Sequence, residues 1–184
     1  MFVRRMLTAC AVLSAFVVAP AAQGQWSATV SGGATIPTAD YGKYANTGWI
    51  GSVGLLYRLS NPVVAVGATG MYGSNGHSDV DGDKTNLTGV LGVVTYRLGD
   101  TKKPGVYLLG NVGWLNHAYK SDKFPQADES QSGVAFGAGG GFAIPRNNMN
   151  WYVNVRYLMA SIDGETTAFI PIQAGVTIPL GGKK

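Results

Sequence analysis

The chain has 184 residues, enough for one domain of ordinary size, and carries a formal net charge of +4 at pH 7. Charged residues make up only 13% of it, about half the share found in soluble domains, yet the mean hydropathy is just +0.09. This combination argues against an ordinary soluble globule, and so small a net charge gives no support to nucleic-acid binding.

The first 24 residues have the pattern of a secretory signal peptide. Arg4 and Arg5 precede a mostly apolar run over 6–22, and Ala22-Gln23-Gly24 places small residues at the two positions that a signal peptidase reads. The sequence therefore predicts a signal peptide over 1–24 and one mature domain over 25–184. Removal of the signal peptide would also remove Cys10, and with it any thiol chemistry.

The rest of the chain has no persuasive helical period and divides instead into eight segments that we interpret as strands. Apolar and polar residues alternate in most of them, which places the two sets on opposite faces. In the last segment, for example, Ile172 and Val176 alternate with Gln173 and Thr177. In the third and fourth segments Val, Ala and Gly occur on both faces, so the sequence does not decide which face points inward. The predicted strands are 26–36, 49–58, 63–73, 86–98, 106–117, 132–144, 151–160 and 168–180.

Strands 26–36 and 168–180 are predicted to pair, because pairing the last strand with the first closes the sheet and removes both of its edges. Strands of roughly ten to thirteen residues, rising about 3.3 Å per residue and tilted by about 40°, give an apolar belt of about 25 to 30 Å. That is the height of the lipid-facing band of an outer-membrane barrel. The predicted fold class is all-β, an eight-stranded antiparallel up-and-down transmembrane β-barrel after a cleaved signal peptide.

The breaks between the strands alternate between long and short. The long breaks, 37–48, 74–85, 118–131 and 161–167, hold nine of the ten acidic residues. We expect these loops at the cell surface, where they are available to a partner, and the short turns and both termini in the periplasm.

Aromatic residues at the strand ends are predicted to form two interfacial girdles. They are Trp26, Tyr57, Tyr96, Tyr107, Trp151 and Tyr152 at the short-turn end, and Trp49, Tyr72, Trp114 and Phe169 at the other.

Polar side chains on the predicted inner face are candidates for a network in the lumen. They are Arg58, Arg97, Asn111, Asn154, Arg156 and Gln173. Side chains nearly fill the interior of an eight-stranded barrel, so an open pore is not expected.

Chemistry-bearing motifs are weak in this sequence. Asp79, Asp81 and Asp83 have the spacing that begins a calcium loop, but Lys84 stands where an EF-hand has glycine. They are weak metal candidates. His77-Ser78-Asp79 holds the residue types of a hydrolase triad, but adjacent residues do not converge in space. The sequence predicts no catalytic residue and no cofactor.

The signal peptide, the eight alternating segments and the loop rhythm together resemble the small OmpA/OmpX-type outer-membrane β-barrel family over essentially 25–180. The last strand is similar to the C-terminal signal read by the barrel-assembly machinery, in a pattern carried by Gln173, Gly175, Ile178 and Leu180. Family members often end on an aromatic residue, whereas this chain continues to Lys184. The resemblance implies a non-enzymatic protein with an envelope or surface-interaction role, in contact with outer-membrane lipid and lipopolysaccharide.

Two alternatives remain open. A lipid-binding or lipid A-modifying barrel would be favoured by a convergent set of His, Ser and acidic side chains. A secreted, soluble, lipocalin-like barrel would turn its polar face outward and keep its apolar face inside.

Cleavage of the signal peptide is expected between Gly24 and Gln25, because the basic residues, the apolar run and the small residues stand in the required order. N-terminal sequencing of protein purified from the cell envelope should begin at Gln25. A chain that still began at Met1, or at an acylated Cys10, would contradict this prediction.

Overall fold

The protein forms a closed barrel of eight antiparallel strands in the computed structural model, which describes residues 25–77, 82–121, 126, 129–162 and 165–181. Each strand pairs with the strands before and after it in the sequence. The strands are β1 (Trp26–Thr38), β2 (Gly48–Arg58), β3 (Val64–Gly76), β4 (Asp83–Arg97), β5 (Gly105–Ser121), β6 (Glu129–Arg146), β7 (Met149–Ile162) and β8 (Glu165–Pro179).

The predicted closure of the barrel is confirmed, since β1 pairs with β8 from Ser27 opposite Pro179 to Thr38 opposite Ala168. The eight predicted strands all exist, and the fold class is as expected. Within the described residues, no helix is both long and apolar enough to cross a membrane. The predicted signal peptide, 1–24, lies outside the described residues.

Large apolar side chains cover the outside of the barrel. Val53, Val112 and Val134 are 61%, 62% and 62% exposed, and similar residues recur along each strand. Successive side chains of a strand point to opposite faces, so the polar residues of β1 and β8 point inward, and Thr35 and Gln173 are buried. The outward face is therefore apolar, as in a barrel that meets lipid, and the soluble lipocalin-like alternative is wrong.

The structure also fixes the inward faces of β3 and β4. Met71 on β3 and Leu87 on β4 point inward and are buried, whereas Tyr72 and Val90 point outward and are exposed. Both faces of these strands are apolar because one meets lipid and the other packs in the core, which explains why alternation alone left them open.

All four long loops are shorter than predicted, and the last three differ most from the prediction. Pairing continues to Gly76 opposite Lys84, to Tyr119 opposite Glu129 and to Ile162 opposite Glu165. Much of 74–85, 118–131 and 161–167 is therefore strand that rises beyond the apolar belt. These residues are polar on both faces, so they lack the apolar alternation by which a strand is recognised.

Part of the predicted girdles is wrong as well. Tyr107, Tyr152 and Phe169 lie on the inward phase of their strands, and Phe169 is completely buried. Outward-facing pairs do exist at both ends of the barrel: the rings of Trp26 and Tyr57 are 5.1 Å apart, and those of Trp49 and Tyr72 are 5.5 Å apart.

Two inward glycines make room for the inward tyrosines. A Cβ atom added to Gly141 would lie 2.5 Å from Cζ of Tyr107, and one added to Gly175 would lie 2.8 Å from Cζ of Tyr152 and in contact with the Val30 carbonyl oxygen. Carbon atoms do not approach so closely, so each glycine leaves the space that a ring occupies.

Replacement of Gly175 by leucine should therefore destabilise the barrel by about 1 to 3 kcal/mol, because the side chain overpacks the lumen. Replacement of its outward neighbour Val176 by leucine keeps an apolar surface and should cost little. The measurement is the heat-modifiable, membrane-inserted fraction of each variant on gels run with and without boiling. If Val176→Leu were the more damaging change, the register of β8 would be wrong.

Candidate functional site in the barrel lumen

The half of the lumen nearer the long loops is filled by apolar side chains. We call this layer the plug; its members come from seven of the eight strands and the first loop, and each is at most 4% exposed. They are Tyr41, Ile50, Met71, Leu87, Leu91, Leu115, Ala135, Leu158, Ala160 and Phe169. Burial of this apolar area is a stabilising contribution that does not depend on lipid.

The first long loop folds into the barrel mouth and forms part of the plug. Its single 3₁₀ turn, Tyr41–Lys43, places Tyr41 in the core, where it is 1% exposed. Ala45 forms a bridge with His77, and Nδ2 of Asn75 donates a 2.7 Å hydrogen bond to the Asn46 carbonyl oxygen. The loop 37–48 is therefore anchored over the lumen.

Beneath this loop the two histidines of the chain converge on Thr85. Nε2 of His77 lies 2.8 Å from Oγ1 of Thr85, and Nε2 of His117 lies 3.3 Å from the same oxygen. Nδ1 of His117 is 3.2 Å from Oγ1 of Thr167, and its ring centre is 5.2 Å from that of Tyr41. Sequence reasoning missed this cluster because its members are far apart in the chain. The one available signal was that His117 shares a strand face with Asn111, a predicted lumen residue.

Of the three weak metal candidates, the structure describes only Asp83. Asp83 opens β4 with a buried carboxylate that accepts a hydrogen bond from the Tyr119 hydroxyl, while Asp79 and Asp81 lie outside the described residues. Within the part of the chain that the structure describes, no three His, Cys, Asp or Glu side chains are grouped as a metal site would require.

The other half of the lumen, toward the short turns, holds a cavity of about 180 Å³ that we call the chamber. Pro62 and Thr101, from the β2–β3 and β4–β5 turns, lie at its mouth. Three arginines line the chamber, Arg58, Arg97 and Arg156, and none of the described residues that line it is acidic.

Arg156 lies deepest among these arginines. It is only 6% exposed and donates from Nη2 to Oε1 of Gln173, whose Nε2 in turn donates a 2.8 Å hydrogen bond to Oγ of Ser52. Nε of Arg156 has no hydrogen-bond partner among the described residues. This chain of side chains joins two of the six predicted lumen residues, Arg156 and Gln173.

The other four predicted lumen residues do not join this chain. Arg97 donates from Nη2 to the carbonyl oxygens of Lys103, at 2.5 Å, and Ala143, at 3.1 Å, and so secures the β4–β5 turn. Arg58 is exposed at the rim. Asn111 and Asn154 are buried in the lumen, and within the described residues the side-chain amide of Asn111 has no hydrogen-bond partner.

The residues of the predicted assembly signal fall on both faces of β8 and just beyond it. Gln173 and Gly175 point into the lumen, whereas Ile178 and Leu180 point outward and are exposed. Their use by the assembly machinery stays a prediction.

Comparison with known proteins agrees with this architecture. The profile of the outer membrane protein beta-barrel domain matches residues 8–178. The fold is similar to that of Neisserial surface protein A, with a TM-score of 0.64 and 12% identity over 85% of this chain and 97% of that one. It is also similar to Ail, the attachment invasion locus protein of Yersinia pestis, with a TM-score of 0.52 and 17% identity over 84% of this chain and 99% of that one.

A second structure of Ail, in complex with the heparin analogue sucrose octasulfate, has a TM-score of 0.52 and 16% identity over the same shares of the two chains. At these identities the structural likeness establishes the fold alone. No curated protein sequence matches the chain. The closed eight-stranded barrel, its apolar outer face and the profile match together show that the chain belongs to the outer membrane protein beta-barrel domain family, whose members lie in the bacterial outer membrane.

Proposed function

We propose that this protein is a non-enzymatic outer-membrane barrel that conducts no solute and presents its long loops to a partner at the cell surface. The observation that carries this proposal is the plug. Leu87 and Phe169 are fully buried, and Leu91, Leu115 and Leu158 are at most 2% exposed, so solvent does not reach the side chains of this layer, which supports a closed lumen. A barrel of eight strands has little interior to spare for a channel beside such a layer.

The histidine cluster does not favour an enzyme. Thr85 has the hydroxyl that a nucleophile needs and a histidine nitrogen at 2.8 Å, but it is 0% exposed and lies below Tyr41. A lipid ester or acyl chain would have to displace the first loop to reach it. The lipid A-modifying alternative therefore has less support than a structural role for these side chains.

Charge favours a cationic partner at the long-loop end. The four long loops carry nine acidic residues against Lys43, Lys84, Lys120 and Lys123. Ail has been seen with a sulfated heparin analogue, but the acidic excess of these loops disfavours a polyanion there. We infer that the surface partner, engaged through 37–48, 74–85, 118–131 and 161–167, is positively charged or is bridged by divalent cations.

Lipid contacts follow from the outer face. Lys84 and Lys120 lie opposite each other on β4 and β5, exposed and beyond Trp114, at a height where lipopolysaccharide phosphates are expected. During insertion, β8 is the segment that we expect the barrel-assembly machinery to engage. Short turns at one end and long strand extensions at the other support periplasmic N- and C-termini.

Reconstitution into a planar bilayer tests the absence of a channel. The wild-type barrel should give no conductance steps above those of the protein-free bilayer, because the plug crosses the lumen. A large general porin in the same bilayer is the positive control. Stable single-channel steps from the wild-type protein would overturn the proposed function.

Labelling of intact cells with a membrane-impermeant amine reagent tests the orientation. Lys84 and Lys120 should be modified, as should Lys123, which lies outside the described residues, whereas Lys102 and Lys103 of the β4–β5 turn should be protected. Lys43 should react more slowly, because its 2.7 Å hydrogen bond to Asp40 raises the pKa of its amine. Modification of Lys102 and Lys103 alone would reverse the topology.

A further inference from the structure

Arg156 is a buried cation without an acidic partner in the described chain. Only 6% of the residue is exposed, and its side-chain hydrogen bond goes to the neutral Gln173. Its Nε has no partner among the described residues. Burying a charge without a counter-charge costs several kcal/mol in proteins, so such a group calls for an anion.

The surroundings of Arg156 are those of a receptor for a small anion. The guanidinium lines the chamber together with Tyr107, Tyr152 and Asn154, whose side chains add hydroxyl and amide donors. Arg58 and Arg97 line the same chamber nearer its mouth. A cleft lined by charges of one sign, with walls of low dielectric constant, focuses the field and concentrates ions of the opposite sign.

The size of the chamber limits the ligand. Its volume of about 180 Å³ is close to that of cavities that accept one benzene-sized molecule, and it is smaller than the pockets that hold drug-sized ligands. The plug closes its inner end, so a ligand must enter and leave through the short-turn end.

The geometry points to a binding site for a small soluble oxyanion, a phosphate or carboxylate group, in the chamber at Arg156. The planar guanidinium presents paired N–H donors that match two oxygens of such a group. The anion neutralises the buried charge, and the tyrosine hydroxyls can complete its shell. The site is independent of the surface role proposed above and faces the opposite end of the barrel.

The test is a titration of inorganic phosphate, followed by calorimetry, into the mature protein in liposomes of phosphatidylcholine alone, with chloride at matched ionic strength as the reference. The wild-type protein should bind phosphate with one site per barrel. Arg156→Gln should weaken binding by at least about thirtyfold, because it removes the buried charge and its paired donors, whereas Arg58 and Arg97 lie nearer the mouth of the chamber. Arg146→Gln removes the same charge from the exposed end of β6, outside the chamber, and should bind as the wild type does.

Thermal unfolding gives a second readout that a merely structural role for Arg156 would not produce. Phosphate should raise the unfolding temperature of the wild-type protein and of Arg146→Gln, but not that of Arg156→Gln. If Arg156→Gln does not fold, Arg156→Lys keeps the charge without the paired donors and should bind more weakly than the wild type.

Three outcomes would overturn the site. In the first, the wild-type protein binds no phosphate above the chloride reference. In the second, Arg146→Gln loses binding as fully as Arg156→Gln, so that only general surface charge attracts the anion. In the third, the wild-type protein does not bind free phosphate but does bind vesicles that contain phosphatidylglycerol. That result would assign the anion affinity to a lipid headgroup outside the lumen.

Discussion

The pairing of β1 with β8 is the interaction on which the rest of the barrel depends. Hydrocarbon offers no hydrogen bonds to the backbone, so a sheet can cross it only when every strand has two neighbours. The register from Ser27 opposite Pro179 to Thr38 opposite Ala168 supplies that last set of hydrogen bonds. Closure with eight strands then sets the width of the lumen, and the width decides which side chains the interior can hold.

A narrow lumen makes small residues as important as large ones. Gly141 and Gly175 leave the space in which the rings of Tyr107 and Tyr152 lie, and those rings form part of the wall beside Arg156. The same interior is divided along its axis: apolar side chains meet and exclude water in the plug, whereas arginine, tyrosine and amide side chains surround the chamber. The barrel is therefore closed at the long-loop end and polar at the other.

Two polar groups inside this barrel differ in how their hydrogen bonds and charges are satisfied. His77 and His117 share Thr85 in a cluster covered by the first loop, and such a satisfied network fixes the packing of that loop. Arg156 differs because its hydrogen bond goes to an uncharged amide and its charge is not balanced by an acidic side chain within the described residues. A group of the first kind is explained by structure, whereas one of the second kind points to a ligand.

Much of the fold was predictable from the sequence because of one periodicity. Alternation along β1 and β8 placed residues such as Ile172 and Gln173 on opposite faces, and the need to remove the sheet edges predicted that the two strands pair. The alternation fails where both faces meet similar surroundings. It did not show which face of β3 and β4 points inward, because both of their faces are apolar. It also missed the ends of β5 and β6 near the long loops, because both faces are polar there.

The tertiary structure alone decided what the inward residues do. Arg97 and Arg156 were both predicted to lie in the lumen, yet one secures a turn through backbone carbonyl oxygens and the other lies buried in the chamber. Tyr107 and Phe169 had the sequence positions of girdle residues, but the phase of their strands turns them inward. The sequence pattern assigns a residue to a face, whereas its depth along the barrel axis and its neighbours across the lumen depend on strand register and closure.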